Sequence, residues 1–494
     1  MGRPRKGSHR CLARLFGYNV GVAAHKATAL NDSGEGGVTL LRQLGVPSAT
    51  ALVISNMIGT GIFTTTGFLA ADLGTTALIL LTYVVGALCA LSGAFCYSEL
   101  GVNFPSSGGE YVYLTRAYGP TWGFMTGWVS FFAGFSAPIA AAALAFSDYL
   151  GYFWPGLKQE NAQFTLGSGA WVLKFGAAQA VACAVILLFT LLNIFGLRPV
   201  SRVQNLLTVV KVSVIVAFIL LGVAAGTGDW GNMGQAAVRT SRHSVPAQFA
   251  ISLFLIYMSY SGWNAATYVA EELKNPARTL PLALAWGTGL VAVLYIALNL
   301  VFIYATPLEK LKGVIAVGSV TAASLFGPQV GGIFSALMAV SLMATVSAMV
   351  TIGPRVYYAM AKNGAFFAVA ARVSPRWHTP VPAILCQGVV SMLITFTPFQ
   401  DLLFYIGITL NFFTVIGVAS LLVLRKRPGW RKLRVVGIAW PLVPMFFVVV
   451  SSCMFAAGMT LEYKVTSMAF LTVATGALVY RFRLKAKEHK GQHG

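Results

Sequence analysis

This chain of 494 residues is poor in charge and poorest in acid: 10% of residues are charged, and 14 Asp and Glu stand against 35 Lys and Arg. A soluble chain of this length would divide into several cores with charged outer faces, and too little charge is present to cover them. Cysteine is scarce as well. Five of the six (Cys89, Cys96, Cys183, Cys386, Cys453) fall inside apolar runs and Cys11 lies in a basic N-terminal segment, which excludes an extracellular disulfide framework. All six histidines (His9, His25, His243, His378, His489, His493) lie outside the apolar runs. Neither an HExxH motif nor a phosphate-binding Gly-Lys-Ser/Thr loop occurs, so metal hydrolysis and ATP-driven work lack their parts. We expect no metal, no cofactor and no enzymatic activity. Residues 1–46 are polar and basic, without the apolar core of a cleavable signal peptide, and none is expected.

Apolar residues are what the chain has, at 57% with a mean hydropathy of +0.73. Twelve apolar stretches recur, at roughly 47–72, 76–98, 121–147, 175–196, 203–226, 247–272, 282–304, 330–360, 381–398, 402–424, 436–457 and 463–481. Each approaches the length of about 20 residues that a bilayer requires. If both termini are cytoplasmic, 27 of the 35 Lys and Arg fall on inside segments and 7 on outside loops. That is the positive-inside bias, and it sets the expected orientation in the cell membrane. The net charge of +21 is thus read as contact with anionic lipid heads rather than with nucleic acid.

Two spans are interrupted. The first breaks on Gly59-Thr60-Gly61 and the sixth on Ser259-Tyr260-Ser261-Gly262. Small residues also serve close helix packing, but both breaks fall near mid-span. Lipid cannot satisfy freed backbone groups, and paired breaks of this kind point to a transporter's substrate site. Two five-span units follow, 47–226 and 247–424, with two appended spans at 436–481 and basic tails at 1–46 and 482–494. The odd number of spans gives the units opposite topology, an inverted repeat. The outer half of span 1 starts near Gly61 with a positive dipole end suited to a carboxylate. The outer half of span 6 ends near Met258-Ser259 with carbonyls suited to an ammonium. Together they fit the α-amino and α-carboxyl groups of a zwitterion. The expected substrate-binding set is Ile58, Gly59, Thr60, Gly61, Met258, Ser259, Ser261 and Trp263, with Met258 as a soft lid and Asn264 satisfying groups freed at the break. A channel would want a continuous polar stripe or charged ring, and neither is seen.

Three motifs in order, MIGTGIF (57–63), YSELGVNFPSSGGEYVYLTRAYGP (97–120) and SYSGWNAATYVAEELKNPARTLP (259–281), resemble the amino acid–polyamine–organocation superfamily. The last is most similar to its L-type amino acid transporter branch and bacterial relatives. The resemblance implies an all-α membrane protein of the LeuT fold, with twelve transmembrane helices, a 5+5 inverted repeat, and helices 1 and 6 unwound around a central amino acid. It further implies that Lys211 matches the span-5 lysine whose amine, in sodium-independent members, stands between spans 1 and 8 where sodium-coupled members hold sodium. Heteromeric members carry a cysteine between spans 3 and 4 that bonds a glycoprotein. Residues 148–174 have none, so no disulfide-linked heavy subunit is expected.

Lys211 is notable without the resemblance. It lies about nine residues into its span, roughly 13 Å deep at ~1.5 Å per residue, and an ionisable group there is a functional candidate. No Asp or Glu falls at mid-membrane, which favours neutral amino acids over a cationic or polyamine substrate. Glu271 and Glu272, beside Lys274 and Arg278, are candidates for a cytoplasmic gate of ion pairs. The expected activity is sodium-independent amino-acid transport by alternating access, through proton symport or exchange. Sodium coupling on the same fold is the alternative.

Overall fold

The computed structural model describes residues 40–484, apart from residues 60, 167–172, 225–226, 315–316 and 462. Most of both expected tails, and Thr60, therefore lie outside the described residues. The chain is mostly helical, and among the described residues eight helices are long and apolar enough to cross a membrane, with several shorter ones beside them.

The first expected span is two helices, α1 (Val46–Met57) and α2 (Gly61–Leu73). α3 (Thr76–Asn103) leads to a short amphipathic helix, α4 (Glu110–Tyr118). The third span is α5 (Pro120–Val129), a π-helical stretch (Ser130–Ser136) and α6 (Ala137–Leu150). Pro138 explains the wider turn: a proline here would clash with a carbonyl of the preceding α-turn and offers it no N–H, and a π-bulge relieves both. A hairpin of β1 (Phe164–Leu166) and β2 (Leu173–Phe175) pairs Phe164 with Phe175 before α7 (Ala177–Ile194) and α8 (Leu197–Ala224). The second half follows with α9 (Val245–Tyr260), a 3-10 segment (Ala265–Glu272), α10 (Pro276–Ala305), α11 (Val317–Phe326), α12 (Pro328–Lys362), α13 (Val381–Ile394) and α14 (Phe399–Leu424). α15 (Leu442–Leu461), α16 (Tyr463–Val479) and a π-helical stretch (Tyr480–Leu484) are the last described elements. Prolines in the first turn of α1, α5, α10 and α12 start these helices where a missing N–H costs nothing.

α8 shows which solvent the fold is made for. Gln204, Thr208 and Lys211, spaced four and three apart, are buried, whereas Leu206, Val209, Leu220 and Leu221 are exposed, each by more than half. A helix with its polar stripe inward and its leucines outward suits hydrocarbon, not water.

Helix pairing follows a pattern. α3 packs on α10, and the third span packs on α12. α1 packs on α10 as α9 packs on α3; α8 packs on α1 and α12, as α14 packs on α9 and the third span. Two isolated bridges repeat the theme. Leu44, just ahead of α1, pairs with Leu273, just past the second break's 3-10 segment, and Ala236, ahead of α9, pairs with Thr75, just past α2. Backbone hydrogen bonds fasten both ties: Gln43 and Leu44 N–H donate to Glu272 O at 2.9 Å, and Ala237 N–H donates to Gly74 O at 2.8 Å.

Beside the first tie, Arg355 of α12 donates from Nε to Glu272 Oε1 at 2.7 Å, with both side chains 1% exposed. Removing one member of such a pair strands a buried charge, at a cost of about 3–5 kcal/mol. Arg355→Met should therefore lower the thermal midpoint of the detergent-solubilised protein sharply. The double change with Glu272→Gln should restore most of it.

Candidate functional site

α1 stops because Ile58 leaves the helical region (φ −75°, ψ 94°) after its N–H has donated to Ile54 O at 2.9 Å. α2 restarts at Gly61, so its first-turn N–H groups have no acceptor within the helix. α9 ends in the same manner at Tyr260, and Gly262 turns the chain at φ +98°.

The two breaks touch. A Cβ on Gly61 would stand 2.8 Å from Ser259 Cα, and one on Gly262 would stand 2.6–2.8 Å from Asn56 atoms. Glycine is needed at both points because backbone meets backbone, and at Gly262 also because of the positive φ. Thr65 Oγ1 lies 2.8 Å from Ser259 Oγ and donates to Gly61 O at 2.5 Å. Gly59 differs: a Cβ there would meet nothing within 4 Å. Gly59, Gly61, Met258, Ser261 and Gly262 keep partial exposure amid fully buried neighbours. Open space therefore adjoins the break.

The carbonyls freed by α1 are met from the side. Lys211 Nζ donates to Ile58 O at 2.6 Å, to Ser55 O at 3.3 Å and to Thr345 Oγ1 of α12 at 2.8 Å. Thr345 Oγ1 also donates to Ile58 O at 2.8 Å. An ammonium has three donors, and here each has an acceptor, two of them at the negative end of a helix. Tyr295 of α10 bridges both breaks, its hydroxyl 2.8 Å from Met57 O and 3.1 Å from Ser259 O. Asn56 is buried with its Oδ1 unpaired.

Of the residues singled out from sequence, Ile58, Gly59, Gly61, Ser259 and Ser261 come together, with Lys211 beneath them; Thr60 lies outside the described residues. Met258 O accepts the Ser261 N–H at 3.2 Å, and Ser259 O the Tyr295 hydroxyl, so each has one lone pair already engaged. The Met258 sulfur lies against Gly407 of α14. Trp263 points elsewhere, its ring 4.9 Å from Tyr97 and 5.7 Å from Phe447, in the seam between α3 and α15. Glu271 accepts from Ser107 N–H at 3.3 Å, while Glu272 takes Arg355. Asn264 donates to Glu110 Oε1 and Tyr268 Oη, both at 2.9 Å, rather than to the broken backbone.

Sequence reading missed Tyr295, Thr345, Arg355 and Glu110. A tyrosine and an asparagine four apart inside one apolar run (Tyr295, Asn299), and an arginine just inside the end of another (Arg355), were the available signals. Glu110, 3% exposed at the start of α4, also accepts from Tyr97 Oη at 3.0 Å and Tyr268 Oη at 2.8 Å.

A family profile described as amino acid permease matches residues 44–480. The chain belongs to the amino acid permease family. Among its relatives are the large neutral amino acids transporter small subunit 2 of Mus musculus, 29% identical over 84% of this chain and 76% of the relative, and the b(0,+)-type amino acid transporter 1 of Mus musculus, 29% identical over 72% and 70%. The serine/threonine exchanger SteT of Bacillus subtilis is 27% identical over 91% of this chain and 98% of its own. This permease is therefore a multi-pass membrane protein, and its relatives are amino acid transporters, not enzymes.

Burial raises the Glu110 carboxyl above its ordinary value of 4.5, against the opposing pull of Tyr268, Tyr97 and Asn264. An acid raised on folding contributes stability that is complete below 4.5 and is lost as pH rises through its folded value. The thermal midpoint of Glu110→Gln, measured relative to wild type, should therefore climb as pH is raised from 4.5. A difference that falls with pH would show that the carboxylate form is the one the fold prefers.

Proposed function

We propose that this permease is a secondary active transporter of neutral L-amino acids, sodium-independent, working by alternating access through proton symport or exchange. The observation that carries the reading is the junction of the two breaks. A Cβ on Gly59 would meet nothing within 4 Å, and Gly61 at the start of α2 stands against Ser259 at the carbonyl end of α9. A positive and a negative helix end sharing one hollow suit a zwitterion. The relatives' names specify large neutral amino acids in one case and serine and threonine in another. No carboxylate is hydrogen-bonded to the break among the described residues, which supports a neutral side chain.

Twelve spans in a 5+5 inverted repeat are supported by the pairing pattern. Exchanging the first five spans for the next five turns α1 on α10 into α9 on α3, and α8 on α12 into α14 on the third span. It also exchanges the Leu44–Leu273 tie with the Ala236–Thr75 tie. Sodium is set aside because the Ser55, Ile58 and Thr345 oxygens, a set a small cation would use, already hold the Lys211 ammonium. Both termini are read as cytoplasmic from the basic bias, and a single-chain carrier from the absence of cysteine in 148–174. The Glu272–Arg355 pair would then lie on the cytoplasmic side and serve as a gate that opens in the cycle.

Uptake of labelled amino acids into proteoliposomes tests the proposal. Neutral amino acids should accumulate regardless of sodium, and accumulation only under a sodium gradient would overturn that assignment. Stimulation by a proton gradient that disappears in Lys211→Ala would identify symport. Dependence on internal amino acid, with no response to gradients, would identify exchange. Gly59→Ala should keep wild-type thermal stability and raise KM about tenfold by intruding on the substrate. Gly61→Ala, crowding Ser259, should instead cost about 1–3 kcal/mol of stability.

A further inference from the structure

The segment joining α14 to α15 frames a cleft of about 500 Å3 that the transport reading does not use. Its walls include Arg425, Lys426, Arg427, Lys432, Trp430 and Trp440. The frame is fixed by the end of α3. Glu99 accepts from Trp430 Nε1 at 2.8 Å and Leu433 N–H at 2.9 Å, and pairs with Arg425 at 2.9 Å. Asn103 holds the Arg431 backbone from both sides, at 2.8 Å to its N–H and 3.0 Å to its carbonyl. The Arg425 guanidinium also lies 4.1 Å over the Trp440 ring. The cleft is thus shaped before anything enters it.

Its charge is unbalanced. Glu99 answers Arg425, but among the described residues Lys426, Arg427 and Lys432 form no ion pair. Arg427 donates to the Arg116 carbonyl at 2.5 Å, and its pKa is pushed down by burial and then by the Arg116 charge. Cations crowd one another here rather than being neutralised. Such a cleft calls for an anion with several acceptor oxygens, and arginine and lysine together meet a phosphate. The surroundings indicate what carries it. Val435, Ile438 and Leu442, next along the chain, are 52%, 77% and 68% exposed, an apolar ledge suited to acyl chains, and the two tryptophans are the residues of a membrane interface.

We propose that this cleft binds the phosphate of an anionic phospholipid headgroup, a site distinct from the helix breaks. Basic segments beside a membrane helix recognise such headgroups; here the basic residues line an open cleft whose frame is fixed by Glu99 and Asn103.

The test uses the full chain in nanodiscs of phosphatidylcholine alone or in equimolar mixture with phosphatidylglycerol, reading the thermal midpoint and the lipid retained by native mass spectrometry. Phosphatidylglycerol should raise the midpoint of wild type. The double variant Lys426→Ala/Lys432→Ala, whose side chains are exposed, should need roughly 30-fold more of the lipid for the same effect. Lys362→Ala/Arg372→Ala removes equal charge elsewhere and should respond as wild type does. Equal losses in both variants would reduce the effect to diffuse surface charge and overturn the proposal. Inorganic phosphate reproducing the shift in phosphatidylcholine discs would assign the site to free phosphate and overturn the lipid. Normal uptake in a variant that has lost lipid binding leaves the transport reading intact, so the two can fail separately.

Discussion

Two helices that stop in the middle of an apolar bundle leave backbone groups that lipid cannot satisfy, and the architecture is organised around supplying their partners. Lys211 gives all three of its N–H donors to the end of α1 and to Thr345. Tyr295 reaches the carbonyls of both breaks with a single hydroxyl. Gly61 and Gly262 bring the two broken backbones close enough to share Tyr295. Each element is costly alone: a buried ammonium, an interrupted helix, a buried phenol. Each is tolerable because another stands beside it.

What stays open is the functional part. Among the described residues, a Cβ on Gly59 would meet nothing within 4 Å, so that flank is not filled by protein. In the proposed cycle an amino acid fills it, so binding the substrate and completing the fold become one event. Lys211 ties the end of α1 to α8 and α12, and in the proposed cycle a change at the break would reach the rest of the bundle through it. The ties at Leu44–Leu273 and Thr75–Ala236 fasten the ends of the same two broken spans. Both ties join one broken span to the other.

Charges in this protein are rare and placed. Arg355 with Glu272 and Arg425 with Glu99 are both nearly fully buried pairs, each joining segments far apart in the chain. The first binds α12 to the segment after the second break. The second builds the frame of the cleft between α14 and α15. The surplus of basic residues is what the cleft then offers to its ligand.

The sequence by itself determined the membrane class, the two breaks and the exceptional lysine. These follow from local chemistry: the length of apolar runs, glycine clusters within them, and a cation where none is cheap. Among the described residues eight helices are long and apolar enough to cross a membrane, with shorter apolar ones beside them, because burial in lipid is a property of each segment alone. Partners were not legible in that way. Arg355 looked like one more basic residue at a span end, Glu110 like part of a loop, and Trp263 like a wall of the site, although its ring lies between α3 and α15. Which donor meets which carbonyl depends on how helices distant in sequence pack, and periodicity within one helix holds no record of the helix opposite. The tertiary structure decided that Asn264 pairs with Glu110 and not with the broken backbone, and that Tyr295 spans both breaks. It did so because only packing sets the few ångströms between a donor and its acceptor.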